Sequence, residues 1–109
     1  MGEQEMELRR YRAADGHVPY SDWVRDLDDS TAGRVVACVA RMKSGNFGKS
    51  EPVGQGVSEL KLDFGPGYRV YYIRDGQTVV ILLCGGDKGS QRADIRQAQE
   101  FAADYRRRK

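Results

Sequence analysis

The chain has 109 residues, a length that suits one domain with a single modest core and leaves no room for a second domain. It is 39% apolar and 31% charged, and no apolar run approaches the roughly 18 residues of a transmembrane helix, so a membrane-spanning protein is not expected. The net charge is only +2, but residues 61–109 hold 10 basic and 6 acidic groups, which favours an anionic partner for that half.

The sequence predicts neither a secretory signal nor a metal or cofactor site. The segment Met1–Glu7 carries three glutamates and lacks the basic and apolar regions of a secretory signal, which predicts a cytoplasmic protein. Cys38 and Cys84 have no metal-ligand spacing and are interpreted as small buried hydrophobes. His17 lies alone in a Gly-His-Val-Pro turn. The sequence therefore predicts no metal site and no cofactor.

The first half of the chain predicts a strand followed by a helical hairpin. Alternation in Met6–Arg12 is typical of a short strand, and Pro19 is expected to open a first helix. Ser30 is the expected N-cap of a second helix that ends at Gly45. The apolar positions of this second helix are Ala32, Val35, Val36, Val39 and Met42. The glycine-rich stretch Gly45–Gly56 has no periodicity and predicts a mobile loop.

The second half predicts three strands and a final helix. Val57–Phe64 and Tyr68–Arg74 are expected to pair as a hairpin around Gly65-Pro66-Gly67. Asp75-Gly76 indicates a second hairpin, and the apolar run Thr78–Cys84 predicts a central strand. Ser90 is the expected N-cap of the last helix, whose inner face is Ile95, Ala98, Phe101, Ala102 and Tyr105. The predicted order is β-α-α-β-β-β-α, an α+β fold with an antiparallel-rich sheet in one domain spanning residues 1–109.

Symmetric pairing of the first predicted hairpin separates an apolar face from a polar one. The apolar face has Phe64 opposite Tyr68, Leu62 opposite Val70 and Leu60 opposite Tyr72. The other face has Asp63 opposite Arg69, Lys61 opposite Tyr71 and Glu59 opposite Ile73. We therefore expect polar groups to gather on one open face of the sheet.

The segment Gly56–Ile95 contains two long distinctive strings, GVSELKLDFGPGYRVYY and VVILLCGGDKGSQRADI. These strings resemble the RelE/ParE toxin superfamily, in particular its HigB-like, addiction-module killer branch. With the preceding helical hairpin, the resemblance spans nearly the whole chain. It implies a compact RelE-like sheet with a helical hairpin on one side, an antitoxin encoded by a neighbouring gene, and ribosome-dependent cleavage of messenger RNA without a metal ion. The same fold also hosts inhibitors of DNA gyrase.

Cleavage of RNA by its own 2′-hydroxyl needs a proton acceptor, stabilisation of charge on the phosphate, and a proton donor for the leaving 5′-oxygen. The resemblance implies that basic strand residues perform these tasks, and the matching positions are Lys61 and Arg69. A guanidinium suits charge stabilisation because it stays charged and can bind two phosphate oxygens. Lys88 is the remaining candidate for phosphate contact or proton donation. Tyr71, by stacking on a base, and Arg92 are candidate RNA-binding residues.

These candidate residues also have purely structural interpretations. Arg69 can form a surface ion pair with Asp63, Lys61 and Lys88 can be solvated charges, and Tyr71 can be a packing residue. Gly85-Gly86-Asp87 is interpreted as a turn in which Asp87 supports the start of the last helix. Two other functions remain open, a gyrase-inhibiting toxin and a non-toxic nucleic-acid-binding module of the same fold. Cations on an open sheet favour the nuclease, whose expected partners are a helix-turn-helix antitoxin, the ribosome and messenger RNA.

Overall fold

The computed structural model describes residues 5–109 and shows a five-stranded sheet with helices on both faces. The strands are β1 (Glu7–Arg10), β2 (Lys49–Gly54), β3 (Val57–Lys61), β4 (Arg69–Asp75) and β5 (Val79–Gly86). The helices are α1 (Pro19–Arg25), α2 (Asp29–Ala40) and α3 (Gln91–Arg108), with short 3₁₀ turns at Arg41–Ser44 and Lys88–Ser90. The strand order is β1-β5-β4-β3-β2, and only the β1–β5 pair is parallel. The predicted α+β, RelE-like class is therefore confirmed.

None of the helices in residues 5–109 is both long and apolar enough to cross a bilayer. The expectation that Met1–Glu7 is not a secretory signal falls largely on residues 1–4, which lie outside the described part of the chain.

The helical hairpin α1–α2 covers one face of the sheet. Pro19 occupies the first position of α1, as predicted, because its ring already has a helical φ and it has no amide hydrogen to satisfy there. The prediction of Ser30 as the N-cap of α2 is wrong, since the Asp28 carboxylate accepts a hydrogen bond from the Thr31 amide at 3.2 Å. Gly45 ends the helical segment with a φ of 86°, as expected. Val36 is half exposed and does not belong to the inner face.

The last helix, α3, covers the opposite face of the sheet. Its predicted inner face is confirmed, because Ala98 and Ala102 are fully buried and Ile95, Phe101 and Tyr105 pack beside them. The small alanine side chains let the helix lie close to the central strands. The face that the sequence suggested was open is therefore covered along the central strands. It reaches solvent near the β3–β4 turn and on the edge strands, where Arg9 is 53% and Glu51 is 64% exposed.

The strand β2 lies in the stretch Gly45–Gly56, where the sequence predicted a mobile loop, so that prediction is wrong for most of the segment. β2 pairs with β3 and satisfies the backbone groups on that edge of the sheet. Pro52 is tolerated because β2 is itself an edge strand, and the register shifts between Pro52 and Gly54. Too few β-formers occupy these positions for periodicity to reveal the strand.

The register of the β3–β4 hairpin differs by two residues from the predicted one. Leu60 faces Val70 and Lys61 faces Arg69, because the chain turns through residues 62–68 rather than through three residues. The Leu62 amide donates to the Tyr68 carbonyl at 2.9 Å and closes this longer turn. A shift of two leaves every side chain on its predicted face. Accordingly, the apolar side chains pack under the helical hairpin, and these are Leu60, Leu62, Val70 and Tyr72.

Candidate active site

Three cationic side chains stand in one row across the sheet, beside the turn 62–68. Lys49 on β2 faces Lys61 on β3, which in turn faces Arg69 on β4. Directly opposed residues of antiparallel strands have Cβ atoms about 5 Å apart and point to the same face, so the three side chains are neighbours. The corresponding position on β5 is Gly86, over which the Asp94 carboxylate lies. The row therefore ends at Arg69, next to the start of α3.

Each cation of this row has a carboxylate partner. Lys49 Nζ lies 2.6 Å from Asp63 Oδ2 and Lys61 Nζ lies 3.2 Å from Glu51 Oε1, whereas Arg69 Nε lies 3.5 Å from Glu59 Oε2. Side-chain exposure falls along the row, from 69% at Lys49 to 38% at Lys61 and 12% at Arg69. The alternative pairing of Arg69 with Asp63 is wrong, because the longer turn carries Asp63 to Lys49.

Glu59 is a buried carboxylate at the centre of a polar cluster. The residue is 1% exposed, and its Oε2 accepts hydrogen bonds from Gln91 Nε2 at 2.8 Å and from the Tyr71 hydroxyl at 3.3 Å. The Arg69 guanidinium supplies the compensating positive charge that a buried carboxylate needs. Neither Glu59 nor Gln91 was expected from the sequence to contact Arg69 or Tyr71 in this cluster. A glutamate in the middle of a buried strand was the available signal.

The Arg69 guanidinium is held from two sides. Its Nη1 donates to the Gly67 carbonyl at 2.9 Å, and its Nε is buried beside Glu59 without a hydrogen bond among the described residues. The side chain is thus fixed at the end of the sheet before any ligand binds. A guanidinium held in this way loses little conformational entropy when it binds a phosphate.

Tyr71 is fully buried and packs between the sheet and α3. The prediction that its ring stacks on an RNA base is therefore wrong, and the packing interpretation holds. Burial, followed by the negative charges of Glu59 and Asp94, raises the pKa of the Tyr71 hydroxyl. The hydroxyl accordingly stays protonated and donates a hydrogen bond to Glu59.

Lys88 lies next to Arg69, and Arg92 follows on the first turn of α3. The Lys88 amide donates to the Pro66 carbonyl at 3.4 Å, and a Cβ at Gly67 would lie 3.2 Å from Lys88 Cβ and 3.3 Å from Arg69 Nη1. The two cationic side chains therefore flank Gly67. Arg92 is exposed on the first turn of α3, and its role as an RNA contact stays a prediction.

The segment before α3 is held by Asp87. Its Oδ1 accepts from the Gly89 amide at 2.8 Å and from the Ser90 amide at 3.2 Å, which confirms the structural role expected for Asp87. Gly85 and Gly86 are part of β5 rather than of a turn. Ser90 is the N-cap residue of α3, as predicted, but its side chain makes no capping hydrogen bond, because its hydroxyl donates to Asp94 Oδ2 at 2.5 Å. These hydrogen bonds order residues 87–90. The hydrogen bond from the Lys88 amide to the Pro66 carbonyl then holds this segment against the turn 62–68.

A cleft of about 260 Å³ opens between Lys61, Arg69 and the turn 62–68. We call it the Arg69 cleft. Two cations and one carboxylate, Asp63, line it among the described residues. No group of three or more His, Cys, Asp or Glu side chains within residues 5–109 is placed to hold a metal ion. The chemistry available in the cleft is binding and stabilisation of an anion such as a phosphate.

The two cysteines stand apart from this chemistry. Both are free thiols, with Cys38 half-buried and Cys84 buried, as the interpretation of small hydrophobes requires. Burial raises the pKa of the Cys84 thiol to about 12, so it stays protonated and unreactive.

Comparison with known proteins agrees with a RelE-like class of fold. The model of the family described as phage derived protein Gp49-like (DUF891) matches residues 22–105, which include the cation row, Glu59 and most of α3. An uncharacterized protein of Haemophilus influenzae is 41% identical over 86 residues, which are 78% of this chain and 87% of that protein. The chain therefore belongs to the Gp49-like phage-derived family, a RelE-like addiction-module family.

Proposed function

We propose that this protein is the toxin of a cytoplasmic toxin–antitoxin module, related to the HigB-like branch, and that it cleaves messenger RNA on the ribosome without a metal ion. The observation that carries the proposal is the position of Arg69. Its guanidinium is anchored by Glu59 and Gly67 at the edge of a cleft, between Lys61 and Lys88. Membership of an addiction-module family supports the toxin role.

In the proposed reaction, the ribose 2′-oxygen attacks the adjacent phosphorus and the bond from phosphorus to the 5′-oxygen breaks. Arg69 stabilises the charge that builds up on the non-bridging oxygens, which is the task of a fixed, permanently charged fork of donors. Lys88, on the other side of Gly67, donates a proton to the leaving oxygen. Lys61, on the opposite wall of the cleft, is a second phosphate contact as the cation paired with Glu51, and it can accept the 2′-hydroxyl proton only after losing its own.

The test is cleavage of ribosome-bound messenger RNA by the purified protein and by Arg69→Lys. The lysine keeps the charge beside Glu59 but loses the two-pronged geometry, so we expect the cleavage rate to fall about 100-fold or more. Arg96→Lys is the matched control, since Arg96 is exposed on α3 and lies outside the cleft. A folded Arg69→Lys variant that cleaves at the parental rate would remove Arg69 from the mechanism.

An antitoxin encoded by the adjacent gene is the proposed partner, and it covers the Arg69 cleft with acidic or apolar groups. Co-expression of that protein should restore growth. If the toxin arrests growth but leaves messenger RNA intact and blocks DNA supercoiling instead, gyrase is the target and the nuclease proposal is wrong. Arrest without either effect would also contradict it.

A further inference from the structure

A second cleft lies on the other side of the chain segment that borders the Arg69 cleft. Residues 61–64 form a wall of both cavities. The second cavity has a volume of about 390 Å³, and it is bounded by Arg34 of α2 and by Arg41, the first residue of the 3₁₀ turn that follows α2. We call it the α2 cleft. The proposed cleavage chemistry uses neither of these arginines.

The α2 cleft is cationic, and its two arginines are available to a ligand. Of the described residues that line it, four are cations and one is a carboxylate, Asp63, which is already paired with Lys49. No carboxylate within residues 5–109 forms an ion pair with Arg34 or Arg41. Arg34 and Arg41 are seven positions apart, and Arg41 keeps helical dihedral angles where the 3₁₀ turn continues α2. The two side chains therefore lie on the same side, about 10 Å from each other along the axis.

The same cleft offers flat and apolar surfaces between its charges. The Arg34 guanidinium carbon lies 3.9 Å from the centroid of the Phe64 ring, so the guanidinium rests on the aromatic face. Leu60, Leu62 and Ala37 form apolar parts of the lining. Unpaired RNA bases stack on aromatic rings and on arginine planes, while their phosphates bind cations. An extended acidic peptide would bind the cations but would make no use of the stacked planes of Arg34 and Phe64.

We propose that the α2 cleft binds single-stranded RNA as a continuation of the strand held in the Arg69 cleft. The inference rests on the proposed function, because it takes the same RNA as ligand. A strand whose phosphate lies between Lys61 and Arg69 crosses the shared wall at residues 61–64 and reaches α2 with its next nucleotides. The site thus extends recognition beyond the bond that is cut.

The experiment measures binding of a short, fluorescently labelled single-stranded RNA whose 2′-O-methyl riboses prevent cleavage. Titrations at several KCl concentrations compare the parent with the double variant Arg34→Gln, Arg41→Gln. We expect the affinity to fall about tenfold, and the slope of log K against log salt to decrease by about 1.4, since each lost phosphate contact on a single strand contributes about 0.7. The charge-matched control is Lys43→Gln, Arg96→Gln, two exposed cations outside both clefts, which should change affinity less than about twofold.

Arg34→Lys separates stacking from charge. It should keep the salt slope and still weaken binding, because an ammonium provides no plane for a base. Thermal denaturation of each variant verifies folding. The inference is overturned if the parent does not bind the RNA, if the double variant binds with parental affinity and slope, or if the double variant loses only antitoxin binding. Because this RNA cannot be cut, the binding measurements do not depend on whether the protein cleaves RNA. A negative result in the Arg69 cleavage test therefore leaves them unchanged.

Discussion

Arg69 Nε lies 3.5 Å from Glu59 Oε2, and the two side chains are only 12% and 2% exposed. Arg69 is therefore half of a desolvated ion pair, and not the solvated surface residue that the sequence suggested. Truncating it would leave the Glu59 carboxylate buried without a counter-charge, which is costly. Stability and the proposed activity are consequently linked at Arg69, and activity measurements there need variants that keep the charge balance.

The first prediction is a double-mutant cycle in stability. Glu59→Gln and Arg69→Gln should each lower the free energy of unfolding by about 1 to 3 kcal/mol, because each leaves one buried charge uncompensated. The double variant should recover part of this loss, with a coupling energy of about 0.5 to 3 kcal/mol. Urea unfolding of the parent, the two single variants and the double variant measures this coupling energy. Additive losses would show that the two groups do not interact.

The assignment of side chains to the two faces of β3 and β4 was predictable from sequence, whereas the pairing was not. Alternation alone puts Leu60 and Val70 on one face and Lys61 and Arg69 on the other, and a shift of two residues leaves this unchanged. Pairing depends on the turn, and Gly65-Pro66-Gly67 is compatible with more than one loop length. The correct register brings Glu59 to Tyr71, a contact that local pattern does not reveal.

The burial of Tyr71 shows a second limit of the sequence. The apolar face of α3 was predicted correctly, but periodicity does not say which face of the sheet the helix covers. Once α3 lies over Tyr71, Gln91 reaches Glu59 from 32 positions along the chain. Such a long-range hydrogen bond has no local signature. The cationic residues Lys61, Arg69 and Lys88, in contrast, were proposed as site residues from residue type and family resemblance, and their roles stay predictions.

The second prediction separates Lys88 from Arg92. Both are exposed, so alanine at either position should change the free energy of unfolding by less than about 0.5 kcal/mol. Lys88 lies beside Arg69, and Lys88→Ala should reduce kcat about 100-fold. Arg92→Ala should raise KM a few-fold with kcat unchanged, as expected for a cation that binds substrate and transition state equally. Steady-state cleavage kinetics on programmed ribosomes measure both. Equal effects of the two variants on kcat would contradict the assignment.

The third prediction concerns pH and the anchoring of α3. The hydrogen bonds from Arg108, at 2.7 Å, and from the Tyr11 hydroxyl, at 2.5 Å, hold the pKa of Asp104 below its usual value. A carboxyl with a lowered folded-state pKa stabilises the fold above its unfolded pKa of about 3.9, and the contribution disappears as pH falls through the folded value. Asp104→Asn should therefore be less stable than the parent at neutral pH and approach it as pH falls below about 3.9 and through the lowered folded-state pKa. Chemical denaturation across this pH range measures the difference, with Asp26→Asn, at an exposed position, as the control.

The last prediction uses two glycines with nearly the same backbone conformation. Gly67 has a φ of 80° and Gly76 a φ of 75°, a region in which alanine is strained, so Gly67→Ala and Gly76→Ala should each lose about 1 to 2 kcal/mol of stability from the backbone. Their surroundings differ. A methyl group at Gly76 meets nothing within 4 Å, whereas one at Gly67 lies 3.2 Å from Lys88 Cβ and 3.3 Å from Arg69 Nη1.

Gly67→Ala should therefore push the two proposed catalytic side chains apart and lower cleavage by about 100-fold, because small displacements of reacting groups are costly. Gly76→Ala should cleave at nearly the parental rate despite a similar loss of stability. Thermal melts and single-turnover cleavage of ribosome-bound messenger RNA are measured on the same preparations. Equal cleavage by the two variants would mean that the spacing of Arg69 and Lys88 across Gly67 has no part in the reaction.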